Sequence, residues 1–214
     1  MLPKIKEPVS CLTHLFGAIA GLVCAVVLIC KAAPFGAAYV VPLAVFGVSL
    51  VLLYLASTLY HMLNVPEKIE TALQKFDHAM IFSLIAGTYT PACAIPLRGL
   101  WGWSILGVVW AIAAAGIVMK IFWIGAPRFF STAVYLVMGW VGAAAVVPLV
   151  RSLSGAAFLF LVLGGAAYTA GAVIYAVQKP DIWPRYFGFH EVFHLFVLAG
   201  SAFHVLFMFQ LFPA

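Results

Sequence analysis

Charged side chains are scarce in this sequence. Of 214 residues, 11 are Lys or Arg and 6 are Asp or Glu, so that 8% of the chain is charged while 66% is hydrophobic. A soluble domain usually carries about 25% charged residues. So few charges cannot cover a globule of this size in water, which excludes a soluble enzyme, a disordered chain and a secreted disulfide scaffold. The class that remains is a multi-pass protein of the cell (inner or plasma) membrane.

The sequence also lacks a basic patch and a metal-binding pattern of cysteines. The net charge is +5, but the basic residues stand one or two at a time between apolar runs, so we expect no nucleic-acid partner. The spacing of the four cysteines is typical of small apolar residues in helices rather than of metal ligands: Cys11, Cys24, Cys30 and Cys93.

What the sequence has instead is long apolar runs. A helix that crosses a membrane needs about 20 predominantly apolar residues. Seven runs meet this requirement, and their short connections leave no room for a second domain, so residues 1–214 are expected to form a single seven-helix domain. The predicted spans are Ser10–Cys30, Ala37–Leu63, Phe76–Ile95, Leu100–Phe122, Ser131–Val150, Ser154–Val177 and Phe187–Phe212.

The basic residues predict how this all-α bundle is oriented. With seven spans, one side of the membrane carries eight of them, namely Lys4, Lys6, Lys68, Lys75, Lys120, Arg128, Lys179 and Arg185. The other side carries three, namely Lys31, Arg98 and Arg151. Because Lys and Arg are enriched in cytoplasmic loops, the N-terminus is expected in the cytoplasm and the C-terminus outside.

Ionisable and polar residues inside apolar spans are costly, so each is a candidate functional residue. In this sequence they gather near the predicted cytoplasmic ends of four spans. The residues are His14 of the first span, Ser57 and His61 of the second, Asp77 and His78 of the third, and His190, Glu191 and His194 of the seventh.

Helical periodicity indicates a metal site among these residues. His190 and His194 are four residues apart and therefore share a helix face, as Ser57 and His61 do. Two such histidines can bind one ion. A third imidazole from a facing helix, with water in the fourth position, makes an open tetrahedral zinc site, and His61 has the matching depth. The alternative is that these histidines are hydrogen-bonding groups between helices.

The segment His190–His194 also reads H-E-x-x-H, the pattern that supplies two zinc ligands and a general-base Glu in metalloproteases. The residues after His194 include no Asp or Glu, and His204 follows at the wrong distance for the three-histidine variant. The pattern therefore does not predict a protease here, and a third ligand has to come from upstream.

Taken in order, several of these residues resemble the hemolysin III family, the bacterial branch of the progestin and adipoQ receptor proteins. The matching elements are Glu7 with His14, Ser57-x-x-x-His61, Asp77, and His190-x-x-x-His194 with His204. They extend over nearly the whole chain. The resemblance implies a seven-helix bundle with a cytoplasmic N-terminus, in agreement with the charge distribution.

The resemblance also implies a zinc ion held by His61, His190 and His194, with Ser57 and Asp77 beside its water. Lipid-amide hydrolysis of the ceramidase type is the chemistry suggested for the wider superfamily. Asp77 would then be the general base, with Glu191 as second choice, and Ser57 would orient the water or donate to the oxyanion. The expected substrate is a membrane lipid, and no protein partner is indicated.

Two further functions stay open on the sequence alone: a receptor or membrane-homeostasis protein with structural zinc, and a pore-forming cytolysin. Four residues are expected to support the site without binding the ion, namely Glu7, His14, Ser201 and His204. His204 lies ten residues beyond His194, about 15 Å along a helix axis, so one ion cannot bind both. For His14 the expected role is a hydrogen bond to a neighbour such as Glu7 or a residue of the seventh span.

Overall fold

The regular elements of the described part of the chain are helices. The structure, a computed structural model, describes residues 5–183 and 187–213, so Lys4 and Arg185 of the charge distribution lie outside the described residues. Short 3-10 turns follow the first helix and interrupt the fifth. The helices are α1 (Pro8–Ala32), α2 (Ala37–Met62), α3 (Glu67–Ala94), α4 (Leu100–Phe122), α5 (Arg128–Trp140), α6 (Val146–Ser152), α7 (Gly155–Val177) and α8 (Phe189–Phe209).

Six helical stretches within the described ranges are long and apolar enough to cross a membrane. Each of α2, α4, α7 and α8 forms one, α1 with the 3-10 turn after it forms Pro8–Phe35, and α5 joins α6 through a 3-10 turn to form Arg128–Ser152. The seventh long helix, α3, has 28 residues but carries Asp77, His78 and several hydroxyl groups, which reduce its hydropathy. The prediction of an all-helical membrane protein is therefore confirmed, with six such stretches among the described residues.

Most helix bounds lie close to the predicted spans, and α4 begins and ends at the predicted residues. The largest difference is at α3, which begins at Glu67, whereas the predicted span begins at Phe76. The added turns carry Glu67 and Glu70 near the start, where acidic side chains interact favourably with the helix dipole. A search for apolar runs cannot detect such polar turns.

The fifth predicted span is not one continuous α-helix. A 3-10 turn, Val141–Ala145, separates α5 from α6, and Tyr89 of α3 fills the break. The Tyr89 hydroxyl donates to the carbonyl of Gly139 at 2.6 Å and accepts from the backbone N–H of Gly142 at 2.8 Å. One side chain therefore serves a backbone group at the end of α5 and another within the turn, as an apolar environment requires.

Two groups of buried apolar side chains hold the helices together. One lies mainly where α1, α2 and α8 meet and includes Leu28, Phe46 and Phe207. The other lies between α3, α4 and the α5–α6 stretch and includes Phe82 and Val109. Many large apolar side chains, such as those of Phe16, Ile19 and Leu22 on α1, are exposed instead, and in a membrane they would contact lipid.

Small residues allow α1 and α2 to approach closely. A Cβ atom added to Gly47 of α2 would lie 2.6 Å from Cβ of Ala25 and 3.3 Å from its Cα. On α1 the small residues Gly17, Gly21 and Ala25 follow one another at four-residue intervals. This spacing is common where membrane helices pack backbone against backbone.

Replacing Gly47 with Ala should therefore destabilise the protein. The added methyl group would have to push α1 and α2 apart, and overpacking of this kind costs roughly 1–3 kcal/mol. Thermal or denaturant unfolding in detergent measures the effect. Gly107→Ala in α4 is the matched control, because no atom lies within 4 Å of its added Cβ. Equal stability of the two variants would contradict the close contact.

Candidate functional site

The polar residues predicted from the sequence meet at one end of the bundle. They come from the segment before α1, the last turn of α2, the first half of α3 and the first turns of α8. Contacts between Glu7 and His61, between Ser10 and Glu191, and between His61 and His190 join these elements directly. Residues far apart in the chain therefore form one site.

Three imidazoles form the centre of this site. One ring nitrogen each of His61, His190 and His194 lies within 4.8 Å of the other two. The Nε2 atoms of His61 and His190 face one another at 3.4 Å. His61 and His194 are almost completely buried, with 1% and 2% of their surface exposed, and His190 is partly buried.

Glu7 orients His61. Its carboxylate oxygen Oε2 lies 2.7 Å from Nδ1 of His61, and its backbone N–H donates to the carbonyl of the same histidine at 2.9 Å. The hydrogen bond from His61 lowers the pKa of the Glu7 carboxyl, although partial burial acts in the opposite direction. An ionised Glu7 requires a proton on Nδ1 of His61, which leaves the Nε2 lone pair free to bind a metal.

His194 is arranged in a similar way. Its Nδ1 atom is buried and has no hydrogen-bond partner among the described residues, while the ring is hydrogen-bonded to the backbone of Ser10. A ring that donates to a backbone carbonyl through one nitrogen presents a lone pair at the other. His194 thus offers the kind of nitrogen that metals bind.

These observations fit a bound ion. Two nitrogens that each lie 2.0–2.1 Å from a tetrahedral zinc ion are about 3.3 Å apart, close to the 3.4 Å between His61 and His190. The nitrogen of His194 lies within 4.8 Å of both, so all three rings are near enough to share one ion. A carboxylate behind a ligand histidine, as Glu7 is behind His61, is the usual support of such a site.

His14 does not make the hydrogen bond that the sequence suggested. Glu7 bonds to His61 instead, and both ring nitrogens of His14 are buried without a partner among the described residues. The His14 ring stacks on the ring of His194, with centroids 3.7 Å apart, and meets Tyr54 edge-on at 5.0 Å. His14 therefore packs against a candidate ligand and lies outside the three-histidine group.

Ser57 and Asp77 lie beside the three histidines. The Ser57 hydroxyl is hydrogen-bonded to the Asp77 carboxylate, and Asp77 is close enough to His61 to interact with its charge. Both side chains line the same internal cavity as His190 and His194. A hydroxyl and a carboxylate thus stand next to the candidate metal site, as the predicted roles require.

Glu191 has a different environment. Its Oε2 atom accepts the backbone N–H of Gly188 at 2.8 Å, which caps the start of α8, and its Oε1 atom accepts the Ser10 hydroxyl at 2.9 Å. Both carboxylate oxygens therefore have structural partners that join α1 to α8. The role of Glu191 as an alternative base stays a prediction.

Ser201 and His204 form a separate polar group deeper in the bundle. The Ser201 hydroxyl contacts the hydroxyls of Tyr54 and Tyr168 at 2.7 and 2.8 Å. The His204 ring lies 5.3 Å from that of Tyr168 and packs against Gly164, where an added Cβ would come within 2.6 Å of it. Within the described residues, neither side chain belongs to the three-histidine group.

The cavity beside the site has a volume of about 650 Å³ and mostly apolar walls. It runs between α3, α4, the α5–α6 stretch, α7 and α8. The polar residues at one end include Ser57, Asp77, His190 and Lys120, while Ala92, Leu97 and Leu149 line the far part. A polar end followed by a long apolar chamber suits a ligand with a polar head and an apolar tail.

Several residues of the site gave no clear signal in the sequence. Ser10 contacts both Glu191 and His194, yet a lone serine at a helix start is unremarkable. The sequence indicates Lys120 only as one of the eight basic residues on the predicted cytoplasmic side, whereas the structure buries it. The signal that could have singled out Lys120 is its position next to an apolar run with no acid nearby in the sequence.

The fold and the site together define a class of protein: a helical multi-pass membrane protein with a buried three-histidine cluster at one end. Comparison with known families agrees with this class. Residues 3–205 match the family described as Haemolysin-III related.

Two curated relatives cover nearly the same length. The chain is 45% identical over 200 residues to the hemolysin-3 homolog of Bacillus subtilis (strain 168). The aligned part covers 92% of this chain and 91% of that protein. It is 41% identical over 204 residues to hemolysin-3 of Bacillus cereus, and the aligned part covers 94% of this chain and 90% of that protein. The chain belongs to the hemolysin III family, as the resemblance indicated, and its membership agrees with a location in the cell membrane.

Proposed function

We propose that this protein is a zinc-dependent hydrolase of membrane lipids that acts on acyl amides of the ceramide type. The observation that carries the proposal is the placement of three imidazoles, a serine and an aspartate at the polar end of an apolar cavity. Such a chamber suits an acyl chain that enters from the bilayer.

Zinc is the metal that this donor set favours. It commonly binds three histidines in a tetrahedral arrangement that leaves one position open for chemistry. When bound, zinc lowers the pKa of a water molecule to about 7 and polarises a carbonyl group. Glu7 fixes the ring of His61, and Ser10 fixes that of His194, so the protein holds the ligands in position before the ion binds.

Asp77 and Ser57 would supply the remaining chemistry. Asp77 lies beside His61 and would accept the proton of the attacking water. The Ser57 hydroxyl, bonded to Asp77, would orient that water or donate to the oxyanion. Glu191 is the second choice as base, because its two hydrogen bonds would have to break first.

A receptor or membrane-homeostasis protein with structural zinc is the second candidate. The near-complete burial of His61 and His194 favours it, since structural sites are closed to solvent. In that case Asp77 would complete the coordination. Pore formation, suggested by the names of the two relatives, is the third candidate, and the apolar far part of the cavity argues against a constitutive aqueous path.

The proposed topology is a single domain of seven spans with a cytoplasmic N-terminus. Under this proposal α3 is the additional span: its first turns, with Glu67 and Lys75, lie in the cytoplasm, and the stretch from Asp77 onward crosses the membrane. The burial of Phe82, Leu84 and Ala86 among the other helices supports this, because a helix inside the bundle needs less apolar surface.

Purified protein should contain one zinc ion per chain. His61→Ala should lose it, and Glu7→Gln should weaken zinc affinity about 10- to 100-fold, because the support of His61 is lost. Elemental analysis and competition with a chromogenic chelator measure both effects. His204→Ala is the matched control and should keep its zinc. Absence of zinc in the unaltered protein, together with normal stability of His61→Ala, would refute the metal site.

Asp77→Asn separates the two leading functions. If Asp77 is the base, the variant keeps its zinc but releases no fatty acid from ceramide-like amides in vesicles, because an amide cannot accept the proton. If Asp77 is a ligand of structural zinc, the same variant binds zinc more weakly and melts at a lower temperature. Asp181→Asn, an exposed site, is the control.

The activity itself has a direct test in the same assay. Unaltered protein with full zinc occupancy should release fatty acid faster as the pH rises through neutrality. If it cleaves no acyl amide or ester, hydrolysis is excluded and the receptor or homeostasis function takes its place.

The topology predicts that a reporter fused after residue 214 lies outside the cytoplasm. A paired fusion of alkaline phosphatase, active outside, and green fluorescent protein, fluorescent inside, measures this. The same pair placed in the loop after α2 should give the opposite result. Fluorescence of both the C-terminal fusion and the fusion after α2 would mean an even number of crossings and would contradict a spanning α3, while fluorescence of the C-terminal fusion alone would reverse the orientation.

A further inference from the structure

Lys120 is a buried cation. It lies in the last turn of α4, and only 2% of its surface is exposed. Its Nζ atom donates to the hydroxyl of Ser131 on α5 at 2.6 Å. Burial of a charged ammonium group is costly unless another charge compensates it.

No carboxylate of the described residues pairs with Lys120. The ion pairs found there are Lys6 with Glu70 and His61 with Glu7. Asp77 lines the same cavity as Lys120, but it is bonded to Ser57 and interacts with His61. Among the residues that the structure describes, the only partner of the ammonium group is thus a neutral hydroxyl, which does not compensate its charge.

A second cation lies near Lys120, and Asp77 is the acid that shares the cavity with both. Arg128 follows at the start of α5, and its guanidinium lies over the rings of Tyr175 and Phe189 at 5.0 and 5.5 Å. Lys120, Ser131, Arg128 and Tyr175 all line the internal cavity at its polar end. His78, also in the lining, interacts with the charge of Lys120 and with those of His190 and His61.

We propose that Lys120 and Ser131 form an anion-binding site, and that its ligand is an amphiphile with one anionic head group and one long acyl or alkyl tail. The ammonium and the hydroxyl bind the head, and the apolar remainder of the cavity holds the tail. A volume of about 650 Å³ is within the range of single-ligand pockets. The site does not include the three histidines and requires neither zinc nor hydrolysis, although it shares the cavity that would hold the acyl chain of the proposed substrate.

The head group is either a carboxylate, as in a fatty acid, or a phosphate, as in a single-chain phospholipid. A lysine binds both as a point charge, and the bond is charge-assisted in each case. A neutral head of the same tail length lacks this contribution. The difference in affinity between an anionic amphiphile and the alcohol of the same tail length therefore measures the contribution of Lys120 and Ser131.

The experiment is competition with tritiated palmitate for purified protein in an uncharged detergent, followed by scintillation proximity. Palmitate and hexadecyl phosphate should displace the label about tenfold more strongly than hexadecanol, the value expected for one charge-assisted hydrogen bond. Lys120→Met should remove this preference and leave the affinity for hexadecanol unchanged. Lys120→Arg should keep the preference, as should Lys68→Met, which removes an exposed lysine.

Ser131→Asp gives an independent test if Lys120→Met does not fold. The new carboxylate would pair with Lys120, so the preference for anions should disappear while the protein stays folded. The relative displacement by palmitate and by hexadecyl phosphate identifies the head group, and either result supports the site.

Three results would overturn the proposal: no preference of the unaltered protein for anions, an unchanged preference in Ser131→Asp or a folded Lys120→Met, or an equal loss in Lys68→Met. His61→Ala should retain the preference. Failure of the zinc-dependent function and failure of the anion site can therefore be told apart.

Discussion

The hydrogen bond between Glu7 and His61 is the interaction on which the rest of the site depends. It joins the segment before α1 to the last turn of α2, and a second bond between their backbones holds the same two residues together. Because the bond to Glu7 places the proton on Nδ1, the opposite nitrogen of His61 is free to face His190. Without this bond, no carboxylate would fix the tautomer of His61, and contacts with Tyr60, His190 and His194 alone would orient its ring.

Ser10 extends the same arrangement to α8. Its hydroxyl binds Glu191 and its backbone contacts His194, so one residue at the start of α1 positions the helix that carries two of the three histidines. The site is thus built at the ends of helices, where free backbone groups and polar side chains are available. The apolar middle of the bundle contributes the cavity and little of the chemistry. This division explains how a chain with few polar residues can assemble a polar site.

The sequence predicted those features that follow from periodicity and depth. The helical repeat places His190 and His194 on one face, and the distance of His61 from the end of its span matches theirs, so these three could be grouped in advance. The added turns of α3 and the break between α5 and α6 could not be found in this way, because the first is polar and the second depends on Tyr89 from another helix. The sequence also could not predict hydrogen-bond partners. It associates Glu7 with His14, whereas the structure pairs Glu7 with His61, because the partner of Glu7 depends on how α1 and α2 cross.

That crossing is set far from the site. Gly47 packs against Ala25 near the middle of α1 and α2 and lies fourteen residues before His61, about 21 Å along the helix. Glu7 and His61 sit at the ends of the same two helices, so a small change in the crossing angle at Gly47 becomes a larger displacement between the carboxylate and the imidazole. The absence of a side chain at Gly47 therefore influences the distance between Glu7 and His61, although the two sites are several turns apart.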